Sequence, residues 1–311
     1  MKRFTFFFLK LTSFLFCFVL LFCLIQRILI PKYVEGSTIS TANIDAFYSL
    51  EKDSIDVLFL GASQMYSSVN AKMLNEEYGI KAFDFGASSQ TIPTTLYYLK
   101  EALKTQSPKL VMVEVCDIYW GKSVDEQNLA WNYSANKLSK EKSESLIDIS
   151  DGDLGIVTKY SFPLLQYHSR WCQLNKNDFH YDYDKSLRGY APIEGTKAFE
   201  IMYLSEAPGK EMKVPDVCVK SIKEMARICA ENRIKLVFFK VPISYWTRND
   251  SKGVKKFMTE NGLEYIDLYD HLDEIGIDNT TDFFNNNHSN SSGANKTTRF
   301  IAEYIKENFR F

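Results

Sequence analysis

Two residues that could do chemistry together stand far apart in this chain. Ser63 sits at the tip of a small-residue corner in "VLFLGASQMYSSVN" (residues 57–70), and His288 lies in the asparagine-rich stretch "TDFFNNNHSNSSGAN" (residues 281–295). A serine hydroxyl is a weak nucleophile until a neighbouring base, most often histidine, takes its proton, and that pairing is spatial rather than sequential. The chain offers four histidines, His168, His180, His271 and His288, so the candidate bases are few. A serine placed between a strand and a helix presents its hydroxyl to solvent beside helix N-terminal amides, which can stabilise a developing oxyanion. The same Gly-Ala-Ser corner also suits a plain helix N-cap, and the asparagine stretch also suits a polar loop capping the helix that follows it.

The elements that must position these residues are readable from Ile55 onward. "IDVLFLG", "KAFDFG" and "PKLVMVEV" read as strands, the third almost continuously apolar as a buried parallel strand should be. Helices are expected over "NAKMLNEEYG", closed by a glycine C-cap, and over residues 94–104. The pattern resumes with a helix over 216–232, the strand "IKLVFFKVP", a helix over 250–261, the short strand "EYIDL" and a helix over 294–308. Strands alternating with helices predict an α/β fold with a parallel sheet covered on both faces. Between residues 117 and about 205 the period fails, which marks an insertion after the third strand. Ligands of open α/β sheets bind beyond the carboxyl ends of the strands. Ser63, Gly86 and Asp117 all fall at such ends.

The N-terminus speaks to compartment. Lys2, Arg3 and Lys10 precede an apolar stretch over residues 11–25, and flanking apolar residues bring it to about the 20 needed to cross a bilayer. Early positive charge favours an inside N-terminus and an extracytoplasmic remainder. A cleaved signal peptide is the competing reading, but no small-x-small site follows the apolar core at the usual distance. The expected organisation is an anchor over 1–32, a polar tether over 33–54 and one domain over 55–311. A net charge of −2 gives no sign of a nucleic-acid partner. Cys116, Cys172, Cys218 and Cys229 lack metal-type spacing and read as small buried hydrophobes, so neither metal nor cofactor is expected.

Three stretches carry a family resemblance. "LFLGASQMYSSVN", "FDFGASSQTIPTTLYYLKEAL" and "TDFFNNNHSNSSGANKTTRFIAEYI" resemble, in order, blocks I, II and V of the SGNH (GDSL-like) hydrolase superfamily. They are most similar to its membrane-anchored bacterial branch, which includes the teichoic-acid D-alanyl-transfer protein and alginate-type O-acetyltransferases. The segment "YSFPLLQYHSRWCQL" of the insertion also resembles that branch. The resemblance covers about residues 55–308 and implies a three-layer, flavodoxin-like fold. By position it makes Ser63 the nucleophile, His288 the base, and the Ser63 and Gly86 amides the oxyanion donors. It further implies a membrane-bound O-acyltransferase as partner and an envelope polymer as substrate.

Departures from the family pattern fall at informative places. Ala62 stands where the family has aspartate, and "EVCDIYW" lacks the block III Gly-x-Asn-Asp, so a third oxyanion donor is unassigned. Asn285 stands where a carboxylate is expected three residues before the histidine. An amide can orient an imidazole but cannot stabilise its cation, and Asp→Asn in this role costs about 10⁴ in a serine protease. Asp282 would substitute if the loop folded back. In the insertion, His168, Arg170 and Trp171 could bind an anionic or sugar acceptor, or could form a patch that anchors the insertion.

Overall fold

The computed structural model describes residues 2–32, 40–204 and 213–310. The chain opens with a long helix, α1 (Lys2–Leu29), followed by α2 (Ser40–Tyr48). Next come β1 (Val57–Leu60), α3 (Ser63–Ser68), α4 (Ala71–Glu76), β2 (Ala82–Asp84), α5 (Ile92–Ala102) and β3 (Leu110–Glu114). The insertion carries α6 (Glu126–Tyr133), α7 (Lys140–Ile149), α8 (Leu154–Ser161), α9 (Pro163–Tyr167), a 3-10 turn at His168–Cys172 and α10 (Lys176–Phe179). Beyond it lie α11 (Asp216–Glu231), β4 (Lys235–Lys240), α12 (Arg248–Glu260), β5 (Glu264–Asp267) and α13 (Leu272–Ile275). A two-stranded ribbon, β6 (Phe283–Asn285) with β7 (His288–Ser289), leads into α14 (Ser291–Asn308).

The five strands β2-β1-β3-β4-β5 form one sheet in that order, and every pairing in it is parallel. This is the doubly wound order whose switch point lies between β1 and β3. Because strand side chains alternate faces, Leu58, Leu60, Val111, Val113 and Phe238 enter one core with α2, α5 and α11. Val57, Phe59, Met112, Val237 and Phe239 enter the other core with α3, α4 and α14. The result is the three-layer α/β architecture expected from the strand–helix alternation.

Two local details shape the carboxyl rim. The ends of β3 and β4 are joined by a fully buried ion pair, Lys240 Nζ to Glu114 Oε1 at 2.9 Å, with Lys240 also donating to the Val241 carbonyl. The corner after β1 requires glycine: Gly61 has φ of +153°, and a Cβ there would sit 3.0 Å from the Cβ atoms of both Glu114 and Met65.

Two expectations need correction. Residues 40–54 are not a free tether, because Ile44, Ala46 and Phe47 on α2 are buried and Phe47 stacks on Phe85 at 3.9 Å between ring centroids. Residues 33–39 of that stretch lie outside the described residues. Cys172 is exposed rather than buried, unlike Cys116, Cys218 and Cys229.

Candidate active site

Ser63 is the first residue of α3, immediately past the β1 corner. Ala62 holds the N-cap position in extended conformation, and no side chain caps the helix there. The Ser63 hydroxyl is therefore not consumed in capping. Instead Ser63 Oγ lies 2.8 Å from Nε2 of His288. Both residues are half-buried, so the hydroxyl remains reachable from solvent.

The other side of the ring fixes its tautomer. Asn285 Oδ1 accepts from the backbone amides of Asn287 (2.8 Å) and His288 (3.0 Å), which identifies that atom as the amide oxygen. The same oxygen is 3.0 Å from His288 Nδ1, so Nδ1 carries the proton and donates. Nε2 is then left with its lone pair toward Ser63, the arrangement a general base needs. Burial pushes the His288 pKa below its ordinary value, with no carboxylate to counter it.

The relative placement of the two residues is held from several directions. Ser68 Oγ and Ser289 Oγ meet at 3.0 Å, tying α3 to β7, and the Asn70 amide donates to Thr298 Oγ1 of α14. The insertion returns across the rim as an extended strap that braces the ribbon. The Ser291 amide donates to the Ile193 carbonyl, Lys197 N to the Phe283 carbonyl, and Asn290 Nδ2 to the Gly195 carbonyl. Nothing in the irregular residues 188–204 announces this bracing at the level of sequence.

Gly86 is packed on the same corner, since a Cβ on it would fall 2.3 Å from the Gly61 carbonyl oxygen and 2.9 Å from Met65 Cε. Its own carbonyl accepts from Asn43 Nδ2 of α2 at 2.8 Å. Among the described residues, neither the Ser63 nor the Gly86 amide has a protein acceptor. Asn43 was not singled out from the sequence, where it is one polar residue among many. The loop after Gly86 is further held by Tyr66 (Oη to Ser88 Oγ, 2.8 Å) and by Asn132 of α6 (Nδ2 to the Ser88 carbonyl, 3.0 Å).

Other expected site residues are placed elsewhere. Asp282 is fully buried, and its oxygens accept from Lys296 Nζ (2.7 Å), the Asp278 amide (2.8 Å) and Ser292 Oγ (2.8 Å). It pins the start of α14 to the ribbon and does not contact His288. Arg170 donates to the Leu29 carbonyl at the end of α1 and to Asp178 Oδ1 at 3.0 Å. His168 Nδ1 sits 3.1 Å from the Leu165 carbonyl, and Trp171 is exposed beside it. These three belong to the patch at the exit of α1 and take no part in the Ser63 rim. A cavity of about 650 Å³ among α5, α7 and α11, lined by Tyr97, Lys100 and Lys220, contains none of the site residues. No group of metal-binding side chains occurs among the described residues.

Among the described residues one helix, Arg3–Leu29, is long and apolar enough to cross a membrane. No family model matches the chain, and no curated protein does. Among solved structures, the chain is similar to a candidate acylhydrolase from Bacteroides fragilis, at 12% identity and a TM-score of 0.41, covering 86% of this chain and 96% of that one. It is also similar to a candidate lipolytic protein of the G-D-S-L family from Desulfitobacterium hafniense, at 10% identity and a TM-score of 0.40, covering 79% and 97%. A GDSL-like lipase from Bacteroides thetaiotaomicron matches at 12% identity and a TM-score of 0.39, covering 85% and 96%.

Proposed function

We propose that the chain is a membrane-anchored, extracytoplasmic serine acyltransferase or esterase of SGNH type, acting on O-acyl groups of a cell-envelope polymer. The observation that carries the reading is the Ser63–His288–Asn285 line, with contacts of 2.8 Å and 3.0 Å. Ser63 Oγ attacks the acyl carbonyl while His288 Nε2 takes its proton, and the carbonyl oxygen becomes an oxyanion facing the Ser63 and Gly86 amides. Collapse expels the donor alkoxide, which takes the proton from His288 and leaves an acyl-Ser63 ester. A polymer hydroxyl or water, deprotonated by His288, then attacks that ester and releases Ser63. Transfer is favoured over hydrolysis because α1 would hold the domain beside a membrane-bound O-acyltransferase at high effective concentration.

Asn285 in the acid position favours a second reading, a non-catalytic envelope-binding protein. Labelling by a fluorophosphonate separates the two. The full-length protein in detergent should be labelled, label should vanish in Ser63→Ala, and it should fall at least tenfold in His288→Ala. Wild-type protein that resists labelling while folded would sink the catalytic reading.

A further inference from the structure

Three consecutive elements of the insertion, α9, the 3-10 turn and α10, pack against α1. Each exposes a large apolar side chain: Leu165 is 52% exposed, Trp171 73% and Phe179 65%. Such a group of exposed apolar residues on one part of a surface calls for an occupant. The contacts to α1 say which one. Phe162 meets Phe22 at 6.4 Å between ring centroids, and the Leu164 amide donates to Gln26 Oε1. Arg170 caps the Leu29 carbonyl and pairs with Asp178, while Arg27 pairs with Asp45 of α2.

These contacts set a depth. The Arg27–Asp45 and Arg170–Asp178 pairs belong at or outside the headgroup layer, because charge inside hydrocarbon is costly. Phe22 precedes Arg27 by five residues, which at 1.5 Å per residue places it about 7.5 Å farther along the axis toward the membrane interior. Phe162 touches Phe22 and is drawn to that depth with it. Interfacial elements seat their apolar faces about 5–10 Å into the boundary between headgroups and acyl chains.

We propose that α9, the 3-10 turn and α10 form a collar seated in the bilayer interface, with Leu165, Trp171 and Phe179 in contact with lipid. The proposal rests on the reading of α1 as a membrane span. Tryptophan is the residue most at home in this layer, with its ring in the apolar boundary and its N–H facing the wet side. A collar of this kind would set the height and tilt of the domain on α1, so Ser63 would be held at a fixed height relative to the membrane.

The test uses the full-length chain in phosphatidylcholine vesicles with and without brominated acyl chains, which quench nearby indoles. Trp171 is one of four tryptophans, so Trp171→Phe assigns the signal. Brominated lipid should quench wild-type fluorescence, and the quenchable part should fall by more than half in Trp171→Phe. It should also fall in the double variant Leu165→Asp, Phe179→Asp, which keeps Trp171. Equal quenching in wild type and Trp171→Phe overturns the collar. Alkaline carbonate extraction separates this from the anchor. A chain that resists extraction yet shows no Trp171 quenching loses the collar and keeps the anchor; a chain that is released loses both. Protection of Trp171 from brominated lipid, together with a cross-linked dimer, would give the surface to a second copy instead.

Discussion

At the scale of single residues, Asn285 decides how well the site can work. Its oxygen supplies every hydrogen bond that a carboxylate would supply to the loop and to His288 Nδ1, so orientation is preserved. What it lacks is charge. In the proposed reaction His288 takes the Ser63 proton, and the imidazolium would form in a half-buried place whose desolvation already lowers its pKa, with no anion to offset that cost. Two consequences follow for Asn285→Asp. A carboxylate at the same position should raise the His288 pKa by roughly 1–3 units, as an opposite charge within 4–6 Å does. Because the neutral ring is the base, wild-type labelling should stay active down to a pH below the ordinary histidine value, and the acid limb of the variant should lie higher. The labelling rate on the alkaline plateau should increase at least about tenfold, within the ~10⁴ that the reverse change costs a serine protease. A pH–rate profile of both proteins measures both effects. An unchanged profile would remove Asn285 from the role.

At the scale of elements, the corner that presents Ser63 depends on the buried pair behind it. Glu114 lies against Gly61, with its Cβ only 3.0 Å from where a Cβ on Gly61 would stand, and Lys240 neutralises it from β4. Removing one partner of such a pair strands the other charge away from water, a loss of about 3–5 kcal/mol, whereas neutralising both is often tolerated. Lys240→Met should therefore lower the unfolding free energy measured by urea titration by an amount of that order. The double change with Glu114→Gln should recover most of it, because glutamine can still accept from the Cys116 amide that Glu114 Oε2 now serves. A double variant as unstable as the single one would show that the ammonium's contact with the Trp246 ring, not its pairing with Glu114, is what Lys240 supplies. Both strands were legible in the sequence because near-continuous apolar runs ending in a charge have few other readings. The pairing of Glu114 with Lys240 was not legible, since it depends on β3 and β4 being neighbours. Ser63 and His288 were found through a small-residue corner and a histidine shortage. Asp282 and Arg170 misled because residue type says nothing of commitments, in this case to Lys296 and to the end of α1. The strap over 188–204 has no period at all, and its order comes from backbone bonds to the ribbon.

At the scale of the whole molecule, the boundary between the long apolar helix and the α/β domain falls earlier than composition suggests. The polar look of residues 33–54 hides α2, which covers the sheet edge with Ile44 and Phe47 and reaches the site through Asn43. A soluble fragment over residues 55–311, the natural choice from sequence, would expose Phe83 and Phe85 where Phe47 now packs. A fragment over 40–311 would keep that contact. Burying a side chain of the size of Phe or Ile is worth roughly 1.5–3 kcal/mol, so losing Ile44 and Phe47 together should cost about 3–6 kcal/mol. For a chain of this length that is a difference in Tm on the order of 10 °C. Loss of Asn43 adds a second effect that stability alone would not reveal. With its carbonyl no longer held by Asn43 Nδ2, the Gly86 backbone would be free to shift from the corner, and fluorophosphonate labelling should slow even well below the melting temperature. Asn43→Ala in the longer fragment isolates that effect: its labelling should slow several-fold with a change in Tm smaller than the truncation causes. If both fragments melt together and label alike, α2 is an ornament on the domain rather than a part of it.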